Sequence, residues 1–174
     1  DRRGIELTEG EAMFSVEHDT GRPFVVEAGN GQVTVTGTRF DVRRDPLQTR
    51  VAVEQGTVKV QGQGADVINL TAGLGTCIDA QGVVAAAYAV NPAELTAWRN
   101  GKLVFNNASL SEVAAEVSRY REKPLTVGND KVGDLRLTSV FNSDNTDALL
   151  KALPSILPVA VRTLDDGSQE IISK

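Results

Sequence analysis

Histidine and cysteine are nearly absent from this chain. Its 174 residues hold one of each, His18 and Cys77. A single thiol closes no internal disulfide, and no histidine stands beside it in sequence, so Cys77 reads as structural rather than nucleophilic. Absent disulfides leave the compartment open, because a chain with an adequate core needs none even where oxidation is permitted. Metal sites need clustered His, Cys or carboxylates. Neither Asp165-Asp166 nor Asp144-Asn145-Thr146-Asp147 has a calcium-loop pattern, so no metal and no cofactor is expected. Basic runs stop at two residues, Arg2-Arg3 and Arg43-Arg44, and the net charge is −5. Such a surface cannot displace counterions from phosphates, which argues against a nucleic-acid partner. The longest apolar run, Val83–Val90, is about a third of a bilayer crossing. The chain opens at Asp1 without a methionine and reads as a piece of a longer protein, so missing targeting signals say little of the parent.

Hydrophobic residues make up 41% of the chain, enough for a real core, and the length suits one domain or two small ones. Aromatics supply only 5%, while valine is plentiful, which favours strands in the first half. Residues 1–90 read as an all-β domain, solenoid- or sandwich-like, with glycine punctuation between short alternating runs. Phe24–Glu27 is followed by Gly29-Asn30-Gly31 and then by Gln32–Thr36, with Val33 and Val35 on one face. Val51 and Val53 point inward, Gly56 breaks the run, and Val58 and Val60 resume it. Gln61–Ala65 is a loop, and Val83–Ala89 is a further strand candidate. Residues 91–101 form a linker with a short helix, capped by Asn91 and started by Pro92.

Residues 102–174 change character. Leu103-Val104-Phe105 is a strand, and Ser109-Leu110-Ser111-Glu112 matches a capping box. Leu110, Val113, Ala114, Val117 and Tyr120 then follow helical spacing. A second copy lies 36 positions on: Phe105-Asn106 recurs as Phe141-Asn142, Val113 falls on Leu149, Ala114 on Leu150, and Val117 on Leu153. Pro124 ends the first helix, and Leu125–Val127 is a strand. Leu135–Phe141 alternates as a strand. Asp144 can cap a helix carrying Ala148, Leu149, Ala152 and Leu153, with Asp144 and Asp147 as acids at its N-terminus. Pro158–Leu164 and Gln169–Ile172 close as a hairpin. The order is βαβ-βαββ, so the whole chain is a mixed β and α+β protein.

Catalytic groups are scarce. His18-Asp19 has no nucleophile near it in sequence and reads as a turn or surface histidine. Gly29-Asn30-Gly31 and Gly73-Leu74-Gly75 do not continue as phosphate-binding fingerprints. Trp98 reads as an anchor between the two halves. No catalytic residue is assigned, and the chain is not expected to be an enzyme. One motif stands apart. In Gly37-Thr38-Arg39-Phe40, the Thr38 hydroxyl could attack the sterically open Gly37 carbonyl in an N→O acyl shift, although the same residues also suit a plain turn.

Taken in order, Gly10–Asp19, Arg22–Val26, Gly37–Val42, Val51–Val60 and Ala97–Phe105 resemble the FecR-type sigma-factor regulators. The C-terminal part is similar to the short N-terminal domains of secretins and TonB-dependent transducers. The family's β domain usually begins with further strands before Gly10, so the first domain reads as incomplete. The resemblance implies the periplasmic region of a single-pass inner-membrane protein. Its expected partners are the signalling domain of an outer-membrane siderophore transporter, periplasmic and intramembrane proteases, and a sigma factor held by a cytoplasmic segment outside this chain. Some members break at the Gly-Thr bond, which maps here to Gly37 and Thr38. Partner binding is expected on strand edges of the C-terminal part, first on Leu135, Arg136, Leu137, Thr138, Ser139 and Val140, then on Leu103, Val104 and Phe105. Side chains on the inward face would be core. The alternative is an envelope assembly module of secretin type.

Overall fold

The computed structural model describes residues 3–64 and 66–174. The chain divides into two compact units, Asp1–Thr96 and Ala97–Lys174. The break falls inside the expected 91–101 linker.

In the first unit, short runs form ten strands among the described residues: β1 (Arg3–Glu6), β2 (Gly10–Ser15), β3 (Phe24–Ala28), β4 (Gly31–Val35), β5 (Arg39–Arg44), β6 (Gln48–Gln55), β7 (Thr57–Gln61), β8 (Val67–Thr71), β9 (Leu74–Asp79) and β10 (Tyr88–Ala89), with valine concentrated in β3 to β8. One sheet runs β1-β3-β4-β7-β8 and the other β10-β9-β6-β5-β2. The chain alternates between them in pairs: β3–β4, β5–β6, β7–β8, then β9–β10. The period-two pattern explains the layering, since Val26, Val33, Val35, Val58 and Val60 of the first sheet share one buried cluster with Phe40, Val42, Val51 and Val53 of the second. Phe14 stacks on Phe40 at 5.1 Å between ring centres and closes this core at the β2 edge. Asn91 caps the short helix α1 (Pro92–Leu95), accepting from Ala93 N–H at 3.0 Å.

One expectation fails here. Val83–Ala89 is not a continuous strand. Only Val84 bridges to Ile78, and pairing resumes at β10. Ala85–Ala87 present almost no side chain to bury, and most of that segment is exposed. β1, which pairs in parallel with β3, carried no alternation that would have marked it.

In the second unit, the turn Ala97–Asn100 carries Trp98 and leads into β11 (Lys102–Ser109), α2 (Leu110–Ser118), β12 (Leu125–Val127), α3 (Asp130–Gly133), β13 (Arg136–Asn142), α4 (Thr146–Ile156), β14 (Val159–Thr163) and β15 (Gln169–Ser173). β11 pairs antiparallel with β13, and β15 is central in a three-stranded sheet, order β12-β15-β14. The expected capping box is present in both directions: Glu112 N–H donates to Ser109 Oγ at 3.2 Å, and Ser109 N–H donates to Glu112 Oε2 at 2.7 Å. The repeat positions Val113, Ala114, Val117, Leu149, Leu150 and Leu153 all enter one core.

The differences are local. α4 is capped by Asn145, not Asp144, with Ala148 N–H donating to Asn145 Oδ1 at 3.2 Å. Ala148 is exposed and Leu150 lies in the buried stripe. Tyr120 lies past the end of α2 and is exposed. The short α3 was not anticipated; it tucks Val132 into the core.

Candidate functional site

The residues expected to meet a partner separate by face. In β11 and β13, Leu103, Phe105 and Leu137 point into the core and are buried. Leu135 precedes β13; its carbonyl accepts from Leu110 N–H at 2.9 Å, and its side chain packs against the same core. On the other face Val104 lies directly opposite Val140, and Val140 is 58% exposed. Lys102 stands opposite Asn142 and donates to its Oδ1 at 2.6 Å. Ser139 pairs with Phe105. Each of the two strands has one ladder and one edge without a strand among the described residues.

The ladder is interrupted between Phe105 and Ala108. Asn107 takes φ 51°, a left-handed conformation that asparagine tolerates better than most side chains. Its N–H donates to Thr138 Oγ1 at 3.0 Å, and its carbonyl accepts from Arg136 Nη1 at 3.2 Å. Two expected contact residues, Arg136 and Thr138, therefore hold a bulge. The sequence signal for it is the Asn106-Asn107 pair, since asparagine is depleted in regular strands.

The Gly37–Thr38 bond lies where the chain crosses from β4 in one sheet to β5 in the other. Thr38 and Val16 exchange both backbone hydrogen bonds, at 3.0 and 3.2 Å, and Asp19 N–H donates to Thr36 O at 2.6 Å. Thr38 is 4% exposed, and its hydroxyl donates to Thr57 O at 2.9 Å. Gly56, at φ +91°, lies over this bond. A Cβ there would stand 3.0 Å from Gly37 O and 3.1 Å from Thr38 Oγ1. Gly37 meets His18 more closely still. A Cβ on Gly37 would fall 2.6 Å from His18 Nδ1. Sequence order gave no hint that His18 and Gly56 converge on this bond.

The family model described as FecR protein matches residues 1–59, and the model described as FecR, C-terminal, matches residues 102–172. Both parts occur in order and leave only 60–101 and the last two residues outside. The chain belongs to the FecR family. As a FecR-type sigma-factor regulator it has the two units in which these matches fall: the β core that holds Gly37–Thr38, and the β11–β13 unit. Two crystal structures of a Parabacteroides distasonis ATCC 8503 protein assigned as an anti-sigma factor share its fold. Both give a TM-score of 0.85 at 24% identity; they cover 99% and 100% of this chain and 81% of the matched chain in each case. No curated protein sequence matches the chain.

Asp41, on the outer face of β5, is 4% exposed. Burial pushes its carboxyl up to about 8, and the neighbouring Glu11 pushes the same way, against Arg43 and Arg50. Arg121 donates to Thr146 Oγ1 at 2.9 Å, Asp147 Oδ1 at 2.6 Å and Gln169 Oε1 at 2.6 Å, which ties the end of α2 to α4 and β15. That pairing holds the Asp147 carboxyl below its ordinary range. Cys77 Sγ lies 3.8 Å from the Tyr88 hydroxyl. Among the described residues no cluster of ligands suits a metal ion, and no helix is long and apolar enough to cross a membrane.

Proposed function

We propose that this chain is the periplasmic signal-relay region of an inner-membrane sigma-factor regulator. In this reading it binds the N-terminal signalling domain of a TonB-dependent siderophore transducer, and regulated proteolysis then frees the sigma factor. The observation that carries the reading is the β11–β13 pair, which offers open backbone edges and the outward Val104–Val140 pair in the unit that matches the family's C-terminal model. An added strand would gain main-chain hydrogen bonds from an edge and apolar contact from the valines. Titrating the chain with transducer signalling domains, followed by calorimetry, tests this. A complex is expected, and Val140→Arg should weaken it by placing a charge among apolar contacts. No complex at high micromolar concentration would sink the reading.

Self-cleavage at Gly37–Thr38 belongs to the same reading. It would be a single maturation event, and Thr38→Ala should abolish it. The support is local: the hydroxyl is buried and held by Thr57 O, and the bond sits at a crossover anchored on both sides. A denaturing gel that keeps one intact band after long incubation counts against it.

A further inference from the structure

We propose that His18 is the proton donor to the leaving nitrogen in the Gly37–Thr38 rearrangement; this rests on the self-cleavage reading above. An amide nitrogen cannot leave as an anion, so an acyl shift from nitrogen to oxygen needs an acid beside the bond. The chain has one histidine, and the fold brings it to this bond. A Cβ on Gly37 would lie 2.6 Å from both the Cα and the Nδ1 of His18, and 2.8 Å from its Cβ. The imidazole thus occupies the place that a side chain at position 37 would fill, against the α-carbon next to the scissile carbonyl.

The placement is anchored on both sides. Val16 is hydrogen bonded to Thr38, and Asp19 to Thr36, so His18 is held beside Gly37 by two rungs. The carboxylate of Asp19 does not compete for the imidazole. It accepts from the backbone N–H groups of Gly21 and Arg22 and from Arg22 Nε at 2.9 Å. His18 is exposed, so it can exchange protons with water, whereas Thr38 is buried. The hydroxyl is directed to Thr57 O, and Gly56 approaches Gly37 O and Thr38 Oγ1 without a side chain, which leaves room for a tetrahedral carbon.

Thr38 Oγ1 bonds to the Gly37 carbonyl carbon, and the C–N bond breaks with its electron pair on nitrogen. The nitrogen takes a proton from the His18 imidazolium. The proton released by the hydroxyl passes through water and restores the imidazolium. Water then hydrolyses the ester, leaving a Gly37 carboxylate and a Thr38 with free amino and hydroxyl groups.

The test follows the break over time on denaturing gels, using the full chain freshly made by cell-free synthesis. The wild type, His18→Gln, His18→Ala and Thr38→Ala are compared, with melting curves as folding controls. Both His18 variants should melt like the wild type and break at least about a hundredfold more slowly, the low side of what a positioned acid contributes. Added imidazole should speed His18→Ala with increasing concentration and leave Thr38→Ala whole. A His18→Gln chain that breaks at the wild-type rate overturns this role and leaves self-cleavage standing. So does a His18→Ala chain that is slow but indifferent to imidazole. A wild-type chain that never breaks overturns both.

Discussion

At the scale of single residues, one glycine matters for what it lacks. Gly56 has φ +91° and faces Gly37 O and Thr38 Oγ1 closely enough that a methyl group would crowd both. Gly56→Ala combines left-handed strain with crowding and should cost about 1–3 kcal/mol, read from chemical denaturation. Asp41 carries a prediction of another kind. The folded chain holds a proton on this carboxyl up to about pH 8, while the unfolded chain gives it up near 3.8. The folded state therefore binds more protons across that window, and this group makes the domain less stable as pH rises through it. Asp41→Asn retains a hydrogen-bond donor for Glu11 and carries no charge. Its melting temperature should exceed the wild type's at pH 8, with the gap closing at about pH 4. Gly37 and Thr38 stood out in the sequence because their chemistry lies in adjacent residues. His18, Gly56 and Asp41 did not, because contacts across 19 positions and burial on the outer face of a sheet leave no local pattern.

At the scale of elements, the repeat was the most legible part of the chain. Helix stripes are written in spacing, and Val113, Ala114, Val117, Leu149, Leu150 and Leu153 are buried as the 36-residue register requires. Leu149→Ala should cost about 2–5 kcal/mol, and Ser109→Ala about 1 kcal/mol through loss of the cap, both measured by denaturant unfolding. Pairing was less legible. The repeat aligns Phe105 with Phe141, yet the ladder sets Leu103 against Phe141 and Phe105 against Ser139, because the two copies run antiparallel. The Asn106-Asn107 bulge then shifts the register beyond Phe105 and spends Arg136 and Thr138 on its own closure. Val83–Ala89 failed as a strand for the opposite reason: an apolar run of small residues has hydropathy but little surface to bury.

At the scale of the whole molecule, the division into two units follows a change of period from two to 3.6, visible in the sequence as a shift from valine alternation to capped helices. The family matches fall one in each unit, 1–59 and 102–172. A break after Gly37 would leave β1–β4 on one piece and β5–β10 on the other. β2 would still pair with β5 over six positions and β4 with β7 over three, around a shared core. A cleaved sample should therefore run as two bands on a denaturing gel and as one particle in native gel filtration.

The alternation of strands between two sheets thus makes the Gly37–Thr38 crossover a mechanical element. With the bond whole, a pull on the N-terminal segment is carried by covalent chain. With the bond cut, the same pull is carried by the β2–β5 and β4–β7 ladders, the Val16–Thr38 hydrogen bonds and the shared core, none of them covalent, and enough load can draw the pieces apart. The fold would then act as a tether that withstands thermal motion and yields to force.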